Sequence, residues 1–428
     1  MQILLQPPES DWQSLIQRPA SSFHDLEELV KQVFKSVQLN GDKAVNDYTL
    51  QFDKVVMDEI KVNEKEIRDS IKKIPAKLRS AIGLAKKNIE IFHSSQTDKM
   101  KIIETTKGVK CWRESRPIEN VGLYIPSGSA PLFSTVLMLG IPAMIAGCNE
   151  IILCTPPGKN GEIHPAILYT ASLIGISSIY KAGGIQAIAA MTFGTETIPK
   201  TDKIFGPGNQ FVTAAKLHAQ KFVAIDMPAG PSEVLIIVDK TSRPEFVAAD
   251  LLSQAEHGID SQVILLSTDR IIIEKILHEA EIQLNKLPRK EIAQQALVNS
   301  KAIILKSIEE CIAFSNMYAP EHMILAMKKI KHLTNKIINA GSVFIGNYSC
   351  ESAGDYASGT NHTLPTNGYA RSYSGVSLDS FVKKITFQKV SKKGIQNIGP
   401  VIECMAEAEQ LHAHKNAVTI RLKTLAND

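Results

Sequence analysis

Several features that would have settled the class of this protein quickly are missing from its 428 residues. No run is long and apolar enough to cross a bilayer: the best stretch, "VLMLGIPAMIAGC" at 136–148, is short and broken by glycine and proline. The opening "MQILLQPPESDWQ" lacks the basic and apolar regions of a secretion signal, so a cytoplasmic protein is expected. Neither sign of charge dominates. Lys and Arg total 48 against 44 Asp and Glu, a net charge of +4 spread along the chain, which argues against a nucleic-acid groove. The six cysteines (Cys111, Cys148, Cys154, Cys311, Cys350, Cys404) form no C-x-x-C, and several lie in apolar runs, as reduced thiols do. There is also no H-E-x-x-H, and no G-x-G-x-x-G follows any strand candidate.

What is present reads as an ordinary globular chain, 44% hydrophobic and 21% charged, and too long for one core. The first hundred or so residues hold amphipathic helices such as "HDLEELVKQVFKSV". From "NVGLYIPSGSAPLF" the texture changes. Apolar strands ("VGLYIP", "IILCTPP", "IYKAGG", "DKIFGPG") alternate with helices, which predicts a mostly parallel sheet covered on both faces. After "DMPAGP" a second such set begins, with "SEVLIIVD", "SQVILLST", "KAIILK" and "GSVFIG". The two α/β halves could be distant structural copies, and the tail beyond "SLDSFVKK" reads as a helical appendage.

Gly-rich loops between strands and helices suit anionic ligands, because free N–H groups and the helix dipole face them. Four of them ("YIPSGSAPLF", "AGGIQ", "FGPGNQF", "MPAGPSE") leave a dinucleotide site open alongside plain tight turns. A second cluster is polar. "LLSQAEHGID" puts Gln254 and His257 on one face of a helix end, where the dipole favours a cation. "YAPEHM" holds Glu321 and His322, adjacent residues that can share a cavity only from a loop or strand end. "ESAGDYASGTNHTLPT" carries Glu351, Asp355 and His362, and "EAEQLHAHKNAVT" carries Glu409, His412 and His414. His24, His93, His278 and His332 lie in charged helical stretches and are expected to be solvated. Two His, an Asp and a Gln can hold Zn²⁺, which supports a divalent-metal enzyme without identifying its reaction.

Taken in order, "LYIPSGSAPLFSTVLM", "GPGNQFVTAAK", "DMPAGPSEVLIIVD", "LLSQAEHGIDSQ", "YAPEHM", "ESAGDYASGTNHTLPT" and "AHKNAVTIR" resemble the histidinol dehydrogenase family over essentially the whole chain. The resemblance implies an α/β fold of two incomplete Rossmann-like domains, at 119–231 and 232–380. A helical region at 1–118 would pack on the second domain, and a small helical tail at 381–428 would complete the partner's site in a homodimer. It implies oxidation of L-histidinol to L-histidine through the aldehyde, with two NAD⁺, water and one Zn²⁺ per subunit, as the last step of histidine biosynthesis. Gln254, His257, Asp355 and His414 would be the zinc ligands, Glu321 and His322 the catalytic pair, and Tyr124, Gln186 and Asn209 the NAD⁺ contacts. Ser232, His362 and Glu409 would join the zinc ligands and His322 in binding substrate. Two alternatives keep most of these residues. A zinc hydrolase would use Glu321 to activate water, and a thiol route would carry the aldehyde on Cys111 or Cys154.

Overall fold

The structure, a computed structural model, describes residues 1–19, 24–127, 130–328, 330 and 332–427. In chain order its strands are β1 (Gln2–Leu5), β2 (Ile103–Thr106), β3 (Val109–Pro117), β4 (Asn120–Tyr124), β5 (Glu150–Thr155), β6 (Ser178–Lys181), β7 (Lys203–Phe205), β8 (Ala224–Ile225), β9 (Glu233–Val238), β10 (Gln262–Ser267), β11 (Lys301–Ile304), β12 (His322–Ala326), β13 (Ser342–Ile345) and β14 (Val382–Val390). Residues Met1–Gln96 and Ile118–Phe381 make one compact unit, and Thr97–Pro117 with Val382–Asp428 a second.

The larger unit is α/β and holds two parallel sheets. One runs β6-β5-β4-β7-β8 and the other β1-β11-β10-β9-β12-β13. With β1 set aside, both follow one plan: the first strand is central, two follow on one side, and the last two return to the other. The two halves thus share a strand order. Their apolar runs are continuous because each strand is covered on both faces. Alternate residues enter opposite cores: Ile151 and Leu153 of β5 go to one, Ile152 and Cys154 to the other. β9 divides likewise, with Val234 and Ile236 on one side and Leu235 and Ile237 on the other. Each such side chain contributes about 1.5–3 kcal/mol by burial.

The N-terminal region divides between the halves instead of packing on the second alone. β1 extends the second sheet, and Trp12 of the helix Glu9–Leu15 is buried in that sheet's core. The stretch His24–Asp53 sends Val30, Val33, Phe34 and Val37 into one core of the first half, and Ala76–Ser94 packs into the other through Ile82, Ala85 and Ile89.

The smaller unit has a strand the helical reading of the tail overlooked. β14, "VKKITFQKV", pairs antiparallel along its length with β3, and β2 lies beyond in the order β14-β3-β2. Its β-branched and aromatic residues suit a pleated, half-covered surface. The helices Lys392–Ala408 and His412–Asn427 follow.

Candidate active site

Parallel sheets of this type usually bind ligands beyond the carboxyl ends of their strands. The polar cluster of the second sheet sits at the other edge. β9 starts at Glu233 and β12 at His322, while the helix Pro244–Ala255 carries Gln254 in its last turn and His257 follows just beyond. This edge is where helices end, and unpaired carbonyls there give a helix C-terminus partial negative charge. A cation is favoured at such an edge for the reason that a phosphate is favoured at the opposite one.

Three side chains converge as metal donors: ligand atoms of His257, Glu351 and Asp355 lie within 4.8 Å of one another. Glu351 and Asp355 come from the short helix Glu351–Tyr356, where a spacing of four puts both on one face. His257 Nδ1 lies 3.3 Å from Ser232 Oγ, which orients the ring and leaves Nε2 for a ligand. The ring is open to solvent on one side, yet enclosed enough that burial lowers its pKa and keeps it neutral. Gln254 is fully buried. In the metal-free chain its amide settles with Nε2 toward the Glu351 carboxylate and Oε1 sharing the Glu233 N–H at 2.8 Å; turned over, Oε1 faces that carboxylate, as an amide oxygen bound to a cation would.

Burial pushes the Glu351 carboxyl well above the usual range. For Asp355 burial works upward too, but the imidazoles of His322, His362 and His257 outweigh it and hold the carboxyl low. Asp355 Oδ1 is buried without a hydrogen-bond partner. Two buried carboxylates, an imidazole and an amide, with an acceptor oxygen left over, fit a divalent cation bound by N and O donors.

Glu321 and His322 are both buried and come together at a strand end, Glu321 directly before β12 and its Oε2 3.6 Å from His322 Nδ1. Ala319, left-handed at φ 53°, turns the chain out of the helix Ile308–Tyr318 and into Pro320. Gly341 lets the neighbouring segment approach, since a Cβ there would meet Glu321 O at 2.6 Å. Glu321 Oε2 accepts from Glu233 N–H at 2.8 Å, and burial raises its carboxyl to about 8. His322 Nδ1 lies 3.2 Å from Glu233 O, so that nitrogen carries the proton and Nε2 faces the site. Burial alone would lower the His322 pKa, but Glu351, Glu321 and Asp355 together raise it to about 10.

The three dinucleotide candidates lie at the carboxyl edge of the first sheet. Tyr124 ends β4, and its hydroxyl accepts from Gly184 N–H at 3.1 Å. Gln186, in the first turn of Gly184–Phe193, is wholly buried with neither amide atom partnered. Asn209 caps Gln210–Ala219, its Oδ1 accepting from Phe211 and Val212 N–H at 3.1 and 3.2 Å. β4 and β7 are the neighbours at which the strand order reverses. Gly206, φ 132°, closes the β7 loop onto β4, where a Cβ would collide with Tyr124 O. Gly128 and Ser129 of the loop "YIPSGSAPLF" fall outside the described residues.

His362 links the two edges. Its Nδ1 is 2.9 Å from Asp355 O and its Nε2 3.1 Å from Thr135 Oγ1, at the start of the helix Phe133–Ala146. Both ring nitrogens are therefore held by protein. Glu409 and His414 belong to the smaller unit and are exposed there, Glu409 at the end of Lys392–Ala408 and His414 within His412–Asn427.

Two assignments from sequence change. Glu351 was given no role, although its spacing of four from Asp355 could have marked it. His93, expected in solvent, is fully buried, with Nδ1 3.0 Å from Ile89 O and Nε2 3.4 Å from Asn361 Nδ2. His278 and His332 are exposed as expected, and the side chain of His24 is outside the described residues.

The histidinol dehydrogenase family model matches residues 16–422. The histidinol dehydrogenase of Bacteroides thetaiotaomicron is 56% identical over 426 residues, covering 99% of this chain and 100% of that protein. That of Salmonella typhimurium is 49% identical over 427 residues, covering 97% and 98%. The crystal structure of histidinol dehydrogenase from Elizabethkingia anophelis, 67% identical, aligns over 100% of this chain and 99% of that one, with a TM-score of 0.98. With likeness of this extent in both sequence and structure, the chain belongs to the histidinol dehydrogenase family.

Proposed function

We propose that this chain is a cytoplasmic, zinc-dependent histidinol dehydrogenase. It oxidises L-histidinol to L-histidine through the aldehyde, consuming two NAD⁺ and one water, as the last step of histidine biosynthesis. The observation that carries the reading is the buried, unpartnered Nε2 of His322, 3.6 Å from the equally unpartnered Oδ1 of Asp355. A base and a metal donor left open side by side suit a substrate with both a hydroxyl to deprotonate and nitrogens to ligate.

Zinc would be held by Gln254, His257 and Asp355, with His414 supplied by the tail of the second protomer in a homodimer. Bound there, it supplies a fixed positive point that grips the imidazole and amino nitrogens of histidinol and so positions its carbinol. Ser232 and Glu409 line the same substrate, and His362 holds the backbone of Asp355 beside it. Tyr124, Gln186 and Asn209 would hold NAD⁺, whose nicotinamide accepts hydride. The unpartnered amide of Gln186 supports this assignment.

The steps on the chain's own groups follow. His322 takes the hydroxyl proton at Nε2 as hydride leaves the carbinol carbon, while Nδ1 stays tied to the Glu233 carbonyl. Glu321 takes a proton from the water that adds to the aldehyde, and His322 returns its proton to the aldehyde oxygen, which gives the neutral hydrate and frees Nε2 again. His322 then accepts a proton from the hydrate as a second hydride departs, leaving the carboxylate. The balance is L-histidinol, two NAD⁺ and water giving L-histidine, two NADH and three protons.

Incubating metal-loaded protein with histidinol and NAD⁺ tests the reading. Two NADH per histidinol are expected. No NADH from the loaded protein would favour the zinc hydrolase, which leaves the dinucleotide edge without a use.

A further inference from the structure

The backbone of Glu233 holds both proposed catalytic side chains from the two peptide groups that flank its Cα: the N–H donates to Glu321 Oε2 at 2.8 Å, and the C=O accepts from His322 Nδ1 at 3.2 Å. What holds Glu233 is therefore of interest. Its carboxylate is nearly inaccessible and receives three bonds: Arg18 Nε and Nη2, each at 2.9 Å, and Asn367 N–H at 2.7 Å.

Arg18 grips a second point as well. Its Nη2 donates to the carbonyl of Tyr318 at 2.7 Å, three residues before Glu321, and its guanidinium stacks 3.7 Å from the centre of the Tyr318 ring. That ring is itself fixed, since Tyr318 Oη donates to Gln262 Oε1 at 2.9 Å and Gln262 pairs with Glu233 across β10 and β9. The Arg18 Nη1 bond to Ile16 O, at 3.2 Å, anchors the side chain to its own segment. One planar, always-charged group thus ties the start of β9 to the approach of β12 through a two-pronged contact that Lys could not reproduce.

We propose that Arg18 and Glu233 are positioning residues for the oxidation: the buried pair sets the Glu233 backbone, which sets the direction of Glu321 and His322. Neither touches substrate or metal. This rests on the reading above, in which Glu321 and His322 are the acid–base pair. Small displacements of such groups cost rate, with about 1 Å worth roughly a hundredfold.

The test must separate positioning from folding, because removing one partner strands a buried charge. The double variant Arg18→Met/Glu233→Gln neutralises both at similar volume and keeps an acceptor for Asn367 N–H. It should fold, bind one zinc per chain and retain the wild-type KM for histidinol, while kcat falls roughly ten- to a hundredfold. Arg18→Lys keeps the charge and loses the fork; it should retain zinc and KM and still lose kcat, which serves if the double variant does not fold. Wild-type kcat in either folded variant would overturn the proposal, as would a loss explained by zinc content or folded fraction. Wild-type protein under the same conditions reports on the reading beneath it: no NADH there would sink that reading itself.

Discussion

His322 Nε2 lies 3.6 Å from Asp355 Oδ1, and neither buried atom has a hydrogen-bond partner. That separation is too long for a hydrogen bond, so the two attract as charges and hold a gap between them. The surrounding carboxylates raise the His322 pKa to about 10, against about 6.5 for an unfolded histidine. In the metal-free chain the imidazole is therefore protonated at neutral pH. Its contribution to stability is fully present below 6.5 and is lost as pH rises through the folded value. A cation on Asp355 withdraws part of that attraction. An NMR titration should find the His322 ring titrating far above 6.5 without metal and lower with saturating Zn²⁺. An unchanged midpoint would contradict this.

The thiol route makes a separate prediction. Cys154 is fully buried in a core and burial pushes its thiol far up, leaving no thiolate near neutral pH. Cys154→Ala and Cys111→Ala, singly or together, should leave both oxidations nearly intact, measured as NADH per histidinol. A variant that makes only one NADH per histidinol would restore the thiohemiacetal.

Lys216 and Asp226 form a buried pair at 2.5 Å that also clamps the β7 loop. Lys216 Nζ donates to Gly206 O at 2.7 Å, and Asp226 Oδ2 accepts from Gly206 N–H at 2.8 Å. Lys216→Met strands the Asp226 charge and should cost about 3–5 kcal/mol in urea unfolding. Because the clamped loop leads to Asn209, the KM for NAD⁺ should rise more than that for histidinol. A change under about 1 kcal/mol would show the pair to be spectators.

Burial lowers the pKa of His93, so folding favours its neutral form. The resulting stability is present above the unfolded value of about 6.5 and is lost as pH falls through the folded one. Urea midpoints should decline below pH 6.5, and more shallowly in His93→Gln. Parallel declines in the two proteins would show that His93 does not titrate on unfolding.

Much of this was legible in the chain, for physical reasons that can be named. The parallel sheets announced themselves because β9 and β10, covered on both faces, have to be apolar at every inner position. The convergence of Gln254, His257 and Asp355 in one half came through family resemblance. No local spacing encodes a site gathered from the end of one helix, the start of a strand and a second, short helix. Glu351 stands out in the sequence only as one more carboxylate of the polar cluster, because its helix is six residues long and sits among glycine and serine, too short for its spacing from Asp355 to show as a face. His93 was misjudged because charged neighbours hid an apolar stripe of Ile82, Ala85 and Ile89 on the same helix. Arg18 was invisible: its partners Glu233 and Tyr318 lie 215 and 300 positions away.

The central claim is that one group of residues holds a metal and a different one moves the proton. Zinc content and steady-state turnover of His257→Asn and His322→Asn, measured side by side, address it most directly. His257→Asn should lose zinc and with it activity, whereas His322→Asn should keep one zinc per chain and lose most turnover. If both variants retained metal and turned over at similar rates, this division of labour would be wrong.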